Sequence, residues 1–171
     1  SGGGSSPVND GGPAARRLRR IHVLLTRRRG SGMSQINSEI LRLAYEAVSR
    51  HGPEAGGGFA DEGVEIVDGT GVTERRSSGL EALAEVYGRA GRYFDDLTIE
   101  PTELIDAGDA VVACLRVGGT ALANGAESWS RAFHVHWLRD GRTVRLAVCP
   151  DRTSALRTAA SSRAAPATPT S

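Results

Sequence analysis

The chain has no lysine, only two cysteines and no long apolar run. Cys114 and Cys149 are too few for a disulfide scaffold or a cysteine-based zinc site. No apolar stretch approaches the roughly 20 residues that cross a bilayer as a helix, which excludes an integral helical membrane protein. A large excess of either charge is also missing, since the formal net charge is +1. That figure joins two unlike parts. Residues 1–32 hold seven arginines against Asp10 alone, whereas from Met33 onward the acids outnumber the arginines. An acidic body without a legible basic face is a poor nucleic-acid binder, so neither nucleic acid nor membrane is expected as a partner. That every cation is arginine is most simply a coding bias.

What is present fits one globular domain with tails: 171 residues, 39% apolar and 24% charged. Residues 1–32 read as a disordered basic extension, residues 33–160 as the domain and residues 161–171 as a disordered tail. The apolar segment Ile21–Leu25 is closed by Arg27, Arg28 and Arg29, too early for the roughly 7–15-residue core of a secretory signal. A cytoplasmic location is therefore expected, and a chain beginning at Met33 is expected to fold. A basic arm touching phosphate or a membrane surface is the alternative for the extension.

Ile36, Ile40, Leu43, Ala44 and Ala47 recur at helical spacing, and the spacing predicts a helix over 36–50 that His51-Gly52-Pro53 ends. Three consecutive glycines at 56–58 predict a loop or a weak helical turn. Val64 and Ile66 alternate as a strand. Ser78-Gly79-Leu80-Glu81 has the pattern of a capping box, opening a helix with Leu80, Leu83, Ala84 and Tyr87 on its buried stripe. Two hairpins follow: 97–105 with 110–117, turning at Asp106–Asp109, and 127–138 with 143–148, turning at Asp140-Gly141. A short last helix is predicted over 153–160. Helices segregated from an antiparallel sheet mean an α+β fold, here a curved antiparallel sheet wrapped around the N-terminal helices to form a cone-shaped pocket.

The segments 59–68, 104–112 and 133–142, with Asp151 and Ala155-Leu156 after them, resemble the SnoaL-like polyketide cyclases of the nuclear transport factor 2-like superfamily, to which ketosteroid isomerase also belongs. The resemblance spans about residues 35–158. It implies a sheet that is commonly dimeric through its outer face. On the strand from Glu127, Ser128, Ser130, Ala132, His134, His136 and Leu138 share one face and Trp129, Arg131, Phe133, Val135 and Trp137 the other. The resemblance turns His134 and His136 into the cone. It leaves Trp129, Phe133, Val135 and Trp137 outside, where such a stripe marks a homodimer interface. The opposite arrangement, with aromatics as core and histidines as surface, is the competing reading.

By the same resemblance Asp68 stands for a general base and Tyr45 for an oxyanion donor, while His134 replaces an acid. That replacement speaks against steroid isomerisation itself. His136, Tyr87, Leu138 and Phe59 are expected to line the substrate, a small apolar molecule. Each has a structural alternative: Tyr45 as packing, Asp68 as a turn residue, the histidines as satisfied core polar groups. No cofactor is expected. The histidine pair lacks a clear third ligand, so no metal is expected either. Arg116 and Arg131 lack the paired aspartates of the superfamily's epoxide hydrolase, and Gly56–Gly58 lacks the residues of a phosphate loop. Cys114 and Cys149 read as small buried apolar residues. Two functions follow. One is acid–base proton transfer beside a carbonyl, giving cyclisation, isomerisation or dehydration. The other is a non-catalytic ligand-binding or scaffold dimer, which a wall loosened at Gly56–Gly58 would favour.

Overall fold

The structure is a computed structural model that describes residues 32–164, with side chains over 35–161. The expectations for residues 1–31 and 165–171 lie outside the described residues. Helix α1 spans Gly32–His51 and a 3-10 helix Pro53–Phe59 follows. Strand β1 is Ala60–Asp68 and β2 is Arg75–Ser78; helix α2 is Leu80–Gly88, with a 3-10 turn at Ala90–Arg92. Strands β3 (Thr98–Asp106), β4 (Ala110–Thr120), β5 (Glu127–Arg139) and β6 (Arg142–Cys149) lead into helix α3 (Arg152–Ala164). The last helix thus runs four residues past the end predicted for it and into the segment expected as tail. Among the described residues no helix is long and apolar enough to cross a membrane.

All six strands form one curved, unclosed sheet in the order β2-β1-β6-β5-β4-β3. The fold is α+β, as the segregation of helices from hairpins predicts. The pairing is antiparallel except between β1 and β6, which run parallel. That pair joins the N-terminal strand to the C-terminal one, a contact that no hairpin turn announces. Strand β2 is equally silent in sequence: Arg75–Ser78 is exposed throughout and has no alternation to betray it. Ser78 therefore ends a strand and caps nothing. The N-cap of α2 is Gly79, at φ 97°, and no side chain bonds the first turn.

Both predicted hairpins form. Asp140 and Gly141 have φ 53° and 75°, the paired positive values of the tight turn that matches strand twist. At the other hairpin Gly108 has φ 84° and its N–H donates to Asp106 Oδ1 at 3.0 Å. Edge strand β3 carries Pro101 where the register slips against β4, the position in a sheet where a missing N–H costs least.

Two apolar layers result. On the inner face Leu41, Tyr45 and Val48 of α1 pack with Val64, Ile66, Leu83, Tyr87, Val111, Leu115 and Leu146. On the outer face Ala155 and Ala159 of α3 lie on Val112, Val135, Ala147 and Cys149, with Phe133 and Trp137 packed alongside. The stripe that suggested a homodimer is thus partly covered from within the chain. Val135, at 0% exposure, has no surface left to offer a second copy.

The candidate functional site

The two-residue period of β5 turns His134 and His136 to the inner face, and the helical stripe of α1 brings Tyr45 to meet them. The Tyr45 hydroxyl lies 2.8 Å from His134 Nδ1 and 2.6 Å from His136 Nε2. His136 Nδ1 in turn lies 3.0 Å from Thr143 Oγ1, on β6. Four side chains from three elements therefore make one hydrogen-bonded chain inside an apolar core. Tyr87 joins as packing, its ring edge-on to Tyr45 at 6.0 Å between centroids and 6.2 Å from the ring of His134. All four are buried, His134 the least so at 5% exposure and Tyr45 completely.

A phenol has one proton and an imidazole presents a donor and an acceptor. The chain accordingly has two self-consistent polarities. In one, His134 Nδ1–H donates to Tyr45, Tyr45 O–H donates to His136 Nε2, and His136 Nδ1–H donates to Thr143. Here Nε2 of His134 is a bare acceptor. In the other polarity each of these bonds reverses, Thr143 O–H donating to His136 Nδ1, His136 Nε2–H to Tyr45 and Tyr45 O–H to His134 Nδ1, and Nε2 of His134 carries a hydrogen. Neither form needs a charged ring, which suits the burial. Burial, aided by the positive Arg89, pushes the pKa of His134 down to about 4 against the opposing pull of Asp68. Burial and the neighbouring His134 hold His136 well below its ordinary value. Burial, together with Tyr87, keeps Tyr45 well above the usual phenol range. At neutral pH all three rings are uncharged.

Asp68 ends β1 on the same face as Val64 and Ile66. Its Oδ1 accepts from the Thr70 N–H at 3.0 Å and hydroxyl at 2.6 Å, and Oδ2 accepts from Arg89 at 2.6 Å. Burial resists its ionisation, but Thr70 and Arg89 outweigh it and hold the carboxyl below the ordinary range. Both readings of Asp68 are thus realised together. It is a turn residue bonded two positions ahead, and its charge reaches His134 as Arg89's does. With both oxygens engaged it is a poor proton acceptor. Sequence reasoning missed Arg89. Its position just past the glycine ending α2 was the available signal, but only folding brings it beside Asp68, 21 residues earlier.

The remaining predicted residues separate. Tyr87 stands against the rings. Phe59 instead packs on Ile36, Ile40 and Leu43, a cluster under the first turns of α1, while Leu138 packs against both that cluster and the inner one that holds Tyr45 and Tyr87. Gly56–Gly58 does not loosen the wall: Gly56 is buried, and a Cβ there would stand 2.4 Å from a Tyr87 ring carbon. The missing side chain lets the 3-10 helix press onto that ring. At this level the cone is lined by Tyr45, Tyr87, His134 and His136, all buried. A cavity of about 640 Å3 lies on the outer sheet face, and one of about 340 Å3 lies between Ser49 and Asp96. Among the described residues no three His, Cys, Asp or Glu side chains gather as a metal-ligating group.

Comparison with known proteins agrees with this fold. Among curated proteins there is no match. A nuclear transport factor 2-like protein from Burkholderia thailandensis is 24% identical with TM-score 0.53, covering 71% of this chain and 95% of that one. A protein of ketosteroid isomerase-like fold from Catenulispora acidiphila, in complex with trimethylamine, is 18% identical with TM-score 0.53, covering 71% and 92%. A candidate polyketide cyclase from Xanthomonas campestris pv. campestris is 19% identical with TM-score 0.53, covering 72% and 96%. At these identities the likeness is one of fold. The sequence itself matches the model of the SnoaL-like domain over residues 41–146, more than half of the chain. With its curved six-stranded sheet, its N-terminal helix over the inner face and this match, the chain belongs to the SnoaL-like domain family, on the nuclear transport factor 2-like fold.

Proposed function

We propose that the protein moves a proton on a small carbonyl compound, with His134 as the group that meets the substrate. The observation that supports this is the chain from His134 through Tyr45 and His136 to Thr143, because its two polarities convert His134 Nε2 between acceptor and donor. In the first polarity Nε2 takes a proton from the carbon beside a carbonyl. The electron pair of the broken C–H bond passes to the carbonyl oxygen as an enolate. His134 is then a transient imidazolium, its Nδ1–H still donating to Tyr45 and its charge balanced by the enolate it has formed. Transfer of the Nε2 proton back to the enolate, at the original carbon or at one conjugated with it, restores the neutral ring. Asp68 favours the transient positive charge on His134, and Arg89 limits it. Cyclisation, isomerisation and dehydration all draw on this step, and a small apolar substrate suits the surrounding core.

The test is solvent deuterium uptake at the α-carbon of a panel of enolisable ketones, followed by proton NMR. Uptake above the buffer rate, abolished by His134→Ala and reduced at least about tenfold by Tyr45→Phe, is the expected result. No uptake with any ketone, or uptake indifferent to His134→Ala, defeats the reading. A second reading, a non-catalytic binding module of the same fold, is favoured by one observation. Tyr45 is fully buried and its hydroxyl is satisfied without any ligand.

A further inference from the structure

Helix α3 covers only part of the outer sheet face. The uncovered part is the cavity of about 640 Å3, bordered by Arg116, Arg131, Arg152, Glu103, Trp129 and Phe133, a size in the range of small-ligand sites. Arg116 of β4 and Arg131 of β5 are direct cross-strand partners. Like charges placed opposite one another cost the sheet stability. The described ion pairs engage Arg50, Arg76, Arg89 and Arg152; neither Arg116 nor Arg131 is among them. Arg116 is instead stacked on the indole of Trp129, 3.7 Å from the ring centroid, and that indole is held by its N–H donating to Glu127 at 2.7 Å. The third arginine, Arg152, donates to Glu103 at 3.2 Å. The cavity therefore presents three guanidinium groups against one carboxylate, beside two aromatic side chains of which one is fixed in place.

We propose that this outer cavity is a binding site for a small planar aromatic anion, an aryl carboxylate, distinct from the ring cluster inside the cone. The carboxylate bridges Arg116 and Arg131, relieving their repulsion through paired N–H donors. The aromatic body extends from the guanidinium pair along β5 to rest against Phe133. Glu103 holds Arg152 back and limits the affinity.

The probe is 2-naphthoate, with the neutral 2-naphthamide as its control, titrated by calorimetry and by tryptophan fluorescence. Saturable binding of naphthoate is expected, with naphthamide at least about tenfold weaker. Arg131→Gln, an exposed substitution, is expected to weaken naphthoate at least about tenfold. Glu103→Gln is expected to strengthen it by freeing Arg152, a gain that damage to the fold cannot mimic. Equal binding of the two probes, no saturation at millimolar naphthoate, or indifference to both substitutions overturns the proposal. Loss of binding in His134→Ala with Arg131→Gln unaffected would place the ligand in the cone and also overturn it. So would a sedimenting dimer that Arg131→Glu dissociates, because a second copy would then occupy the cavity.

Discussion

The hydroxyl of Tyr45 and Nε2 of His136 lie 2.6 Å apart although 91 residues separate them in the chain. The bond ties the first helix to the strand beside the last, and it makes one phenol the shared partner of two buried imidazoles. Its energetic consequence follows from the burial. A polar group without a partner in such a place costs about 1–3 kcal/mol.

Tyr45→Phe keeps the ring and removes the bridge, leaving His134 Nδ1 and His136 Nε2 without it. A loss of about 1–3 kcal/mol in urea unfolding is expected, with the slope of the transition unchanged. A variant as stable as the parent would show that the bridge contributes nothing.

Acid sensitivity should come from the histidines. His134 has its folded pKa depressed to about 4 and His136 well below ordinary. Between about pH 6.5 and 4 the unfolded chain therefore binds more protons than the folded one, and stability falls as pH falls through that window. His134 alone accounts for about 3 kcal/mol by pH 4. Unfolding free energies measured every half unit of pH test this; a flat profile from pH 7 to 4.5 contradicts it.

Arg89 controls the charge at the edge of the ring cluster. Arg89→Gln removes both the ion pair on Asp68 and the positive charge that opposes protonation of His134. The pKa of both groups should rise, His134 from about 4 toward its ordinary value. Proton–carbon NMR titration of the His134 ring reads this directly. An unmoved midpoint would mean that burial alone sets it.

The glycines of the 3-10 helix should differ sharply. At Gly56 a Cβ meets the Tyr87 ring at 2.4 Å, while at Gly58 it meets nothing within 4 Å. Gly56→Ala is expected to cost about 1–3 kcal/mol by overpacking. Gly58→Ala is expected to be neutral or stabilising, since a less flexible unfolded chain loses less on folding. Thermal melts of the two variants decide it, and equal effects would contradict the packing.

Ala155 is fully buried where α3 meets the sheet. Ala155→Glu places a charge in that layer, so it should release the helix and uncover Val135, Phe133 and Trp137. Binding of an apolar dye and loss of helical circular dichroism are the expected signs; a variant as compact as the parent would show that α3 is only lightly held.

Much of the fold was legible along the chain because its signals are local. The stripe Ile36–Ala47, the Asp140-Gly141 turn and the alternation of β5 each depend on neighbours a few residues away, and each produced the predicted element. Strand β2 and the parallel pairing of β1 with β6 were illegible, since an exposed edge strand has no alternation and a long-range pairing leaves no local pattern. The capping box at Ser78 failed for a related reason: the sheet took the serine first. The site was legible in kind, as histidines and a tyrosine on inward faces. Arg89 was not, nor was the packing of Phe59 in a separate cluster under the first turns of α1.

By itself the amino-acid order determined the helices, the hairpins and the inner side of β5, because backbone propensity and side-chain periodicity act over a few residues. Only the tertiary structure decided that Tyr45 joins two imidazoles, that Asp68 is held by Arg89, and that α3 covers part of the outer face. Those are contacts between side chains distant in the chain. Their geometry exists only once burial of the two apolar layers has set the distance between helix and sheet.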